Sequence, residues 1–242
     1  MAHDSGRDVD ARTHFDGSYR LSLAAGSSAL AANMCASMSH LAGQLGMLDD
    51  ALRLAETGLG RARETGGIAR IHARLHAMRA KAHAMHGQRA ACLADLACAE
   101  RALGGADDHE HAAWSAHFDE ASLAAETAAA LHLLGDLPGA ERHAASVITL
   151  RRGDRVRSGA FGRLTMASIL LDSGRIEEAA ALGSAVCGVA ATLSSARVRA
   201  RLGDLALALR ARPVTDEAQV FLAEMAALHS GPPAGVSSAW PV

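Results

Sequence analysis

The chain is poor in aromatics, proline and lysine. Its 242 residues include two Trp, one Tyr, four Phe and five Pro, and Lys81 is the only lysine among 24 basic side chains. Four cysteines, Cys35, Cys92, Cys98 and Cys187, have no C-x-x-C spacing and no histidines at zinc-finger distances, which excludes a disulfide scaffold and a structural zinc knuckle. Each is expected to be a small buried hydrophobe in a reducing cytoplasm. With 26 acidic residues the net charge is -2, so nothing drives the chain toward phosphate backbones or anionic membranes. Residues 21 to 48 carry no charge, yet Ser22, Ser27, Asn33, Ser37, His40 and Gln44 interrupt them too often for a membrane helix. Glycine-rich phosphate loops, G-x-S-x-G elbows and supported Cys/His dyads are missing too, so neither an enzyme nor a cofactor is expected.

What is abundant is alanine and leucine in helical periods, and half of the chain is hydrophobic. Glycines recur in similar settings at Gly46, Gly87, Gly135 and Gly174, spaced by 41, 48 and 39 residues. A glycine there takes the left-handed conformation that ends one helix before the chain reverses. Seven residues before these elbows stand Ser39, Ala80, Ala128 and Ala167, and five after stand Ala51, Cys92, Ala140 and Ala179. Small residues at fixed offsets on both arms let antiparallel helices approach closely, as in tetratricopeptide-type repeats.

The pattern predicts helices at 27–45, 49–64, 68–86, 89–103, 111–134, 138–151, 156–173, 176–192, 195–211 and 216–229, and no sheet. The fold class expected is all-α, a right-handed superhelical stack of antiparallel helical hairpins. The last helix, with Phe221, Leu222, Met225 and Leu228 on one side, is expected to cap it. Residues 1–20 are expected to be a flexible segment, 21–229 a single repeat domain, and 230–242 a disordered tail.

Several segments carry a resemblance. A-S-M-S-H-L-A (36–42), R-L-H-A-M-R-A-K-A-H-A-M-H-G (74–87), W-S-A-H-F-D-E-A-S-L-A-A-E (114–126), L-G-D-L-P-G-A-E-R-H-A (134–144) and S-S-A-R-V (194–198) resemble the C-terminal tetratricopeptide region of actinobacterial XRE-type helix-turn-helix transcriptional regulators. The resemblance implies a cytoplasmic regulatory module that binds a peptide, a protein or a small signal molecule. About twenty residues precede the repeats, too few for a helix-turn-helix bundle, so a separate DNA-binding regulator is one expected partner. Direct nucleic-acid and membrane binding are not expected, and a homodimer is an alternative.

Candidate site residues follow from helix faces. His72, His76, Arg79 and His83 share one face of the helix at 68–86, between packed flanks. His72 and His76 have i, i+4 chelate spacing, but no further ligands stand nearby in sequence, so no metal is expected. Asp119 and Glu126 share a face of the helix at 111–134, beside Trp114 and Phe118. In a repeat stack the first helices of successive hairpins line the concave side. The basic and acidic faces are therefore expected to meet across a groove, either as a recognition surface or simply as ion pairs from Arg79 to Asp119 or Glu126. Arg157 and Arg163 are further groove candidates, whereas the run R-V-R-A-R at 197–201 reads as a solvated face.

Overall fold

The computed structural model describes residues 2–64, 68–105, 118–151 and 155–230. Helices make up 82% of these, with no strand among them. The eleven helices described are α1 (Asp8–Ala24), α2 (Ser28–Gln44), α3 (Leu48–Arg63), α4 (Ala69–Met85), α5 (Arg89–Gly104), α6 (Glu120–Leu133), α7 (Leu137–Leu150), α8 (Val156–Asp172), α9 (Ile176–Ala190), α10 (Ala196–Arg210) and α11 (Asp216–Ser230). None is long and apolar enough to cross a membrane.

The elbows form where expected. Gly46, Gly87, Gly135 and Gly174 all have φ between 71° and 79°. At Gly87 the amide donates to Ala84 O at 2.9 Å and the next amide, of Gln88, reaches back to His83 O at 2.9 Å. That pair of bonds satisfies carbonyls left over at the helix end and turns the chain, and it recurs at Gly135 and Gly174. No neighbouring atom lies within 4 Å of a Cβ built on Gly135, so backbone conformation alone sets the cost of a side chain there. Gly135→Val is expected to lower unfolding free energy in urea by about 1–2 kcal/mol, since a β-branched residue is strained in the left-handed region.

The small residues on both arms are all buried: Ser39, Ala80, Ala128 and Ala167 on one, Ala51, Cys92, Ala140 and Ala179 on the other. Ser39 Oγ even donates across the hairpin to Ala51 O at 2.7 Å. The result is close consecutive pairing of α2 with α3, α4 with α5, α6 with α7 and α8 with α9. The first helices of these hairpins also touch in sequence, α2 on α4, α4 on α6, α6 on α8 and α8 on α10, and they form an inner row. Helix α11 lies on α9 and α10 with Phe221 and Met225 buried.

Two differences from the sequence reading stand out. Residues 8–20, within the segment 1–20 expected to be flexible, belong to α1 (Asp8–Ala24), which packs on α2. Its face is narrow, with Ala11 and Ser22 as its buried residues, so helical periodicity is hard to see in the sequence. A fifth elbow, Gly26 at φ 67°, joins α1 to α2. It escapes the small-residue rule because Tyr19, not a small residue, stands seven positions before it. Second, α6 begins at Glu120 rather than 111, because Asp119 is its N-cap: extended at φ -115°, it accepts from the Ser122 amide. Trp114 and the tail beyond residue 230 lie outside the described residues.

Candidate functional site

The inner row, with the end of α7, lines a half-open cavity of about 360 Å³. It is lined by His40 and Gln44 from α2, Arg74, Met78 and Lys81 from α4, Ser122 and Glu126 from α6, Val147 and Arg151 at the end of α7, Phe161 and Thr165 from α8, and Arg197 and Arg201 from α10, with Phe118 just ahead of α6. Helical spacing explains the set. Arg74, Met78 and Lys81 fall at i, i+4 and i+7, as do Phe161 and Thr165 at i, i+4 and Arg197 and Arg201 at i, i+4, so one stripe of each inner helix faces the cavity.

One carboxylate, Glu126, lies among five cationic side chains of this lining. Lys81 Nζ donates to Glu126 Oε2 at 3.1 Å, and His40 Nδ1 lies 3.7 Å from Oε1. Burial works to raise the Glu126 pKa, but Lys81, with Arg74 behind it, holds it below the ordinary glutamate value. His40 is pushed down to about 3, chiefly by burial and further by Lys81, Arg197 and Arg74, against the pull of Glu126. It is therefore neutral at physiological pH. Arg74 is lowered to about 10 by burial, partly offset by Glu126. Its guanidinium donates to Asn33 Oδ1 and to Ser37 Oγ, both uncharged.

At the edge of the cavity Asp119 joins several elements at once. Both of its carboxylate oxygens accept from Arg151, Oδ2 accepts from Arg155 Nη1 at 3.2 Å, and Oδ1 accepts from the Ser122 amide at 2.9 Å. Burial tends to raise its pKa, yet the hydrogen bonds from Arg151 and Ser122 outweigh that and hold it well below the usual carboxylate range. A depressed carboxylate contributes stability above its unfolded pKa, about 3.9, and that contribution is lost as pH falls through the folded value. Asp119→Ala is expected to cost about 2 kcal/mol at neutral pH through the lost cap and the lost charged hydrogen bonds, measured by urea denaturation. The gap between variant and parent should narrow on acidification below about pH 4.

A turn at the start of the chain ties α8, α10 and α2 together. Asp4 O accepts from the Ala196 amide at 3.1 Å, Asp4 Oδ1 from Ser195 Oγ at 2.8 Å, and Asp4 Oδ2 lies 3.2 Å from Arg157 Nη1. His3 meets His40 edge-on, with ring centroids 6.0 Å apart.

The candidate residues from sequence divide accordingly. Phe118 and Glu126 line the cavity, and Asp119 sits at its edge as a cap rather than on a helix face. Arg157 turns instead to Asp4, and Arg163 lies over Gly159, outside the lining. The stripe of His72, His76, Arg79 and His83 points away from the cavity. It lies two residues out of step with Arg74 and Lys81, roughly 200° around α4. Arg79 pairs with neither Asp119 nor Glu126. Its Nε and Nη2 donate to both oxygens of Asp95 on α5, at 2.8 and 2.7 Å, while His76 Nδ1 bonds Asp95 Oδ1 at 2.8 Å and His83 Nε2 stands 3.6 Å from Oδ2. His72, partly buried, is lowered by burial and by His76.

Asp95 also brings a metal-like cluster together, since His76, Asp95 and Cys98 present ligand-type atoms within 4.8 Å of one another. Arg79 already occupies both carboxylate oxygens, and Arg101 Nη2 donates to Cys98 Sγ at 3.1 Å. A cation there would have to displace one guanidinium and sit beside another, which disfavours it. The residues that sequence reading missed are His40, Arg74, Lys81, Arg197 and Arg201. The signal that finds them is positional: each lies on an inner-row helix, in register with that helix's cavity stripe.

Compared with models of known protein families and with curated proteins, the chain matches none.

Proposed function

We propose that this chain is a tetratricopeptide-like binding module of a bacterial regulatory pathway, a superhelical stack of hairpins whose inner cavity holds a signal molecule or a segment of a partner. The observation that carries this reading is convergence. All five segments that resemble the regulator repeats send residues to one cavity: His40 from the first, Arg74, Met78 and Lys81 from the second, Phe118, Ser122 and Glu126 from the third, Ala144 from the fourth and Arg197 from the fifth. Segments far apart in sequence that meet around a concave, mixed polar and apolar space are what a ligand site requires. A volume of about 360 Å³ suits a small molecule or one or two side chains of a peptide, and falls within the usual range for ligand sites.

Binding rather than catalysis is favoured by the charges. Lys81 holds Glu126 ionised and His40 stays neutral, so neither is tuned near neutrality for proton transfer. Mass spectrometry of the chain purified under native conditions tests the reading. A retained species that is released on unfolding supports it. A chain that emerges empty and shows no stabilisation in a thermal-shift screen of metabolites and peptides overturns it.

A further inference from the structure

Cations exceed their partners inside the cavity. Five basic side chains line it against Glu126, whereas the whole chain carries a net charge of -2. Lys81 takes Glu126 and Arg151 takes Asp119, which leaves three arginines. Arg74 is satisfied by the neutral groups of Asn33 and Ser37, and Arg197 lies over the Phe161 ring at 5.0 Å. Arg201 stands one turn further along α10, in line with Arg197, and is solvent-exposed where it reaches the cavity, so it sits at the mouth. Among the described residues, none of these three has a carboxylate within ion-pair distance. Like charges at i, i+4 oppose folding, and burial of Arg197 adds to that cost. Such an arrangement lowers the stability of the empty protein and is relieved by an anion from outside. An apolar part of the wall is formed by Met78, Phe118, Val147 and Phe161, beside the uncharged polar groups of Gln44, Ser122 and Thr165.

Resting on the binding-module reading, we propose that the cavity takes a small molecule with an apolar body and a single anionic head, a carboxylate or a phosphate, seated against Arg197, Arg201 and Arg74. The guanidinium fork suits both heads, because each offers paired oxygens to parallel N–H donors. The apolar body lies against Phe161 and Met78. Without an anion Arg197 and Arg201 repel each other, opposed by the more distant carboxylates of Asp4, Asp8, Glu126 and Asp204, so affinity depends on the charge of the ligand more than on its shape.

The test uses the full chain and two fluorescent probes of similar shape, 8-anilinonaphthalene-1-sulfonate, which is anionic, and N-phenyl-1-naphthylamine, which is neutral. Saturable binding of the sulfonate at least tenfold tighter than the neutral probe is expected, weakening as chloride is raised. Arg197→Gln with Arg201→Gln should reduce sulfonate affinity tenfold or more with the melting temperature retained. If that variant does not fold, the chloride dependence in the parent decides alone. Displacement by 1-naphthoate and by 1-naphthyl phosphate then shows which head the site prefers. Equal affinity for both probes, or sulfonate binding indifferent to chloride and to the substitutions, would overturn the anion assignment while leaving a binding cavity. No saturable binding of either probe would overturn the cavity reading as well.

Discussion

Arg79→Ala is expected to lower the free energy of unfolding by about 3 kcal/mol in urea and to leave occupation of the cavity unchanged once corrected for the unfolded fraction. Asp95 is only 3% exposed, on a helix whose surrounding sequence, A-C-L-A-D-L-A-C, is otherwise apolar. Its charge is tolerated because Arg79 gives it two hydrogen bonds and His76 a third. Burial pushes the Asp95 pKa up, and the hydrogen bonds from His76 and Arg79 bring it below the ordinary value. Removing Arg79 leaves a buried carboxylate with one close partner, and the penalty for an uncompensated buried charge exceeds what a surface ion pair contributes. Because the folded pKa is depressed, the Asp95 contribution is present above about pH 4 and disappears as pH falls through the folded value, so parent and variant should converge in acid. Asp95→Asn added to Arg79→Ala should recover part of the loss, since a neutral amide is cheaper to bury. A variant as stable as the parent but deficient in binding would restore the stripe to the role that its histidines suggest in the sequence.

The hairpins were legible because they depend on local chemistry. A left-handed glycine needs no partner from elsewhere in the chain, and small residues at fixed offsets announce close packing wherever the helices go. The cavity was not legible to the same degree. Periodicity shows that α4 carries two polar stripes, His72–His76–Arg79–His83 and Arg74–Lys81, but which of them faces inward depends on where α5 and α6 lie. The isolated acid of α5 was the missing clue: Asp95 in an apolar run demands a cation on a neighbouring helix, and Arg79 is one turn of the hairpin away. Arg197 and Arg201 were hidden differently. With Arg199 between them they look like a solvated run, and on α10 both Arg199 and Arg201 are exposed, while Arg197 is half-buried and stacks on Phe161. Histidine titration, which a histidine-lined groove would impose, is therefore replaced by a constant cavity histidine, with His40 neutral from about pH 5 upward.

Phe221→Ala is expected to cost about 4 kcal/mol, the largest single effect among these substitutions, and to shift the urea midpoint accordingly. Phe221 is fully buried although it belongs to the last helix described. A Cβ built on Gly183 of α9 would stand 2.7 Å from Phe221 Cε2 and 2.9 Å from Leu205 Cδ2, so the ring occupies the space that a side chain at 183 would fill. Helix α11 thus packs on α9 with a knob in a glycine hole, and the apolar run Phe221, Leu222, Met225 marks the face that does so. Truncating the ring removes its burial energy and leaves a cavity that α9 and α10 cannot fill without shifting. Gly183→Ala in the parent should destabilise by about 1–2 kcal/mol, because the clash outweighs the gain in helix propensity. In the Phe221→Ala background the ring contacts are gone and the flexible end of Leu205 can move into the vacated space, so the propensity gain remains and its sign should reverse to stabilising. That reversal separates the two accounts of α11. Were the helix only resting on the surface, Phe221→Ala would cost less than about 1 kcal/mol and the two substitutions would add.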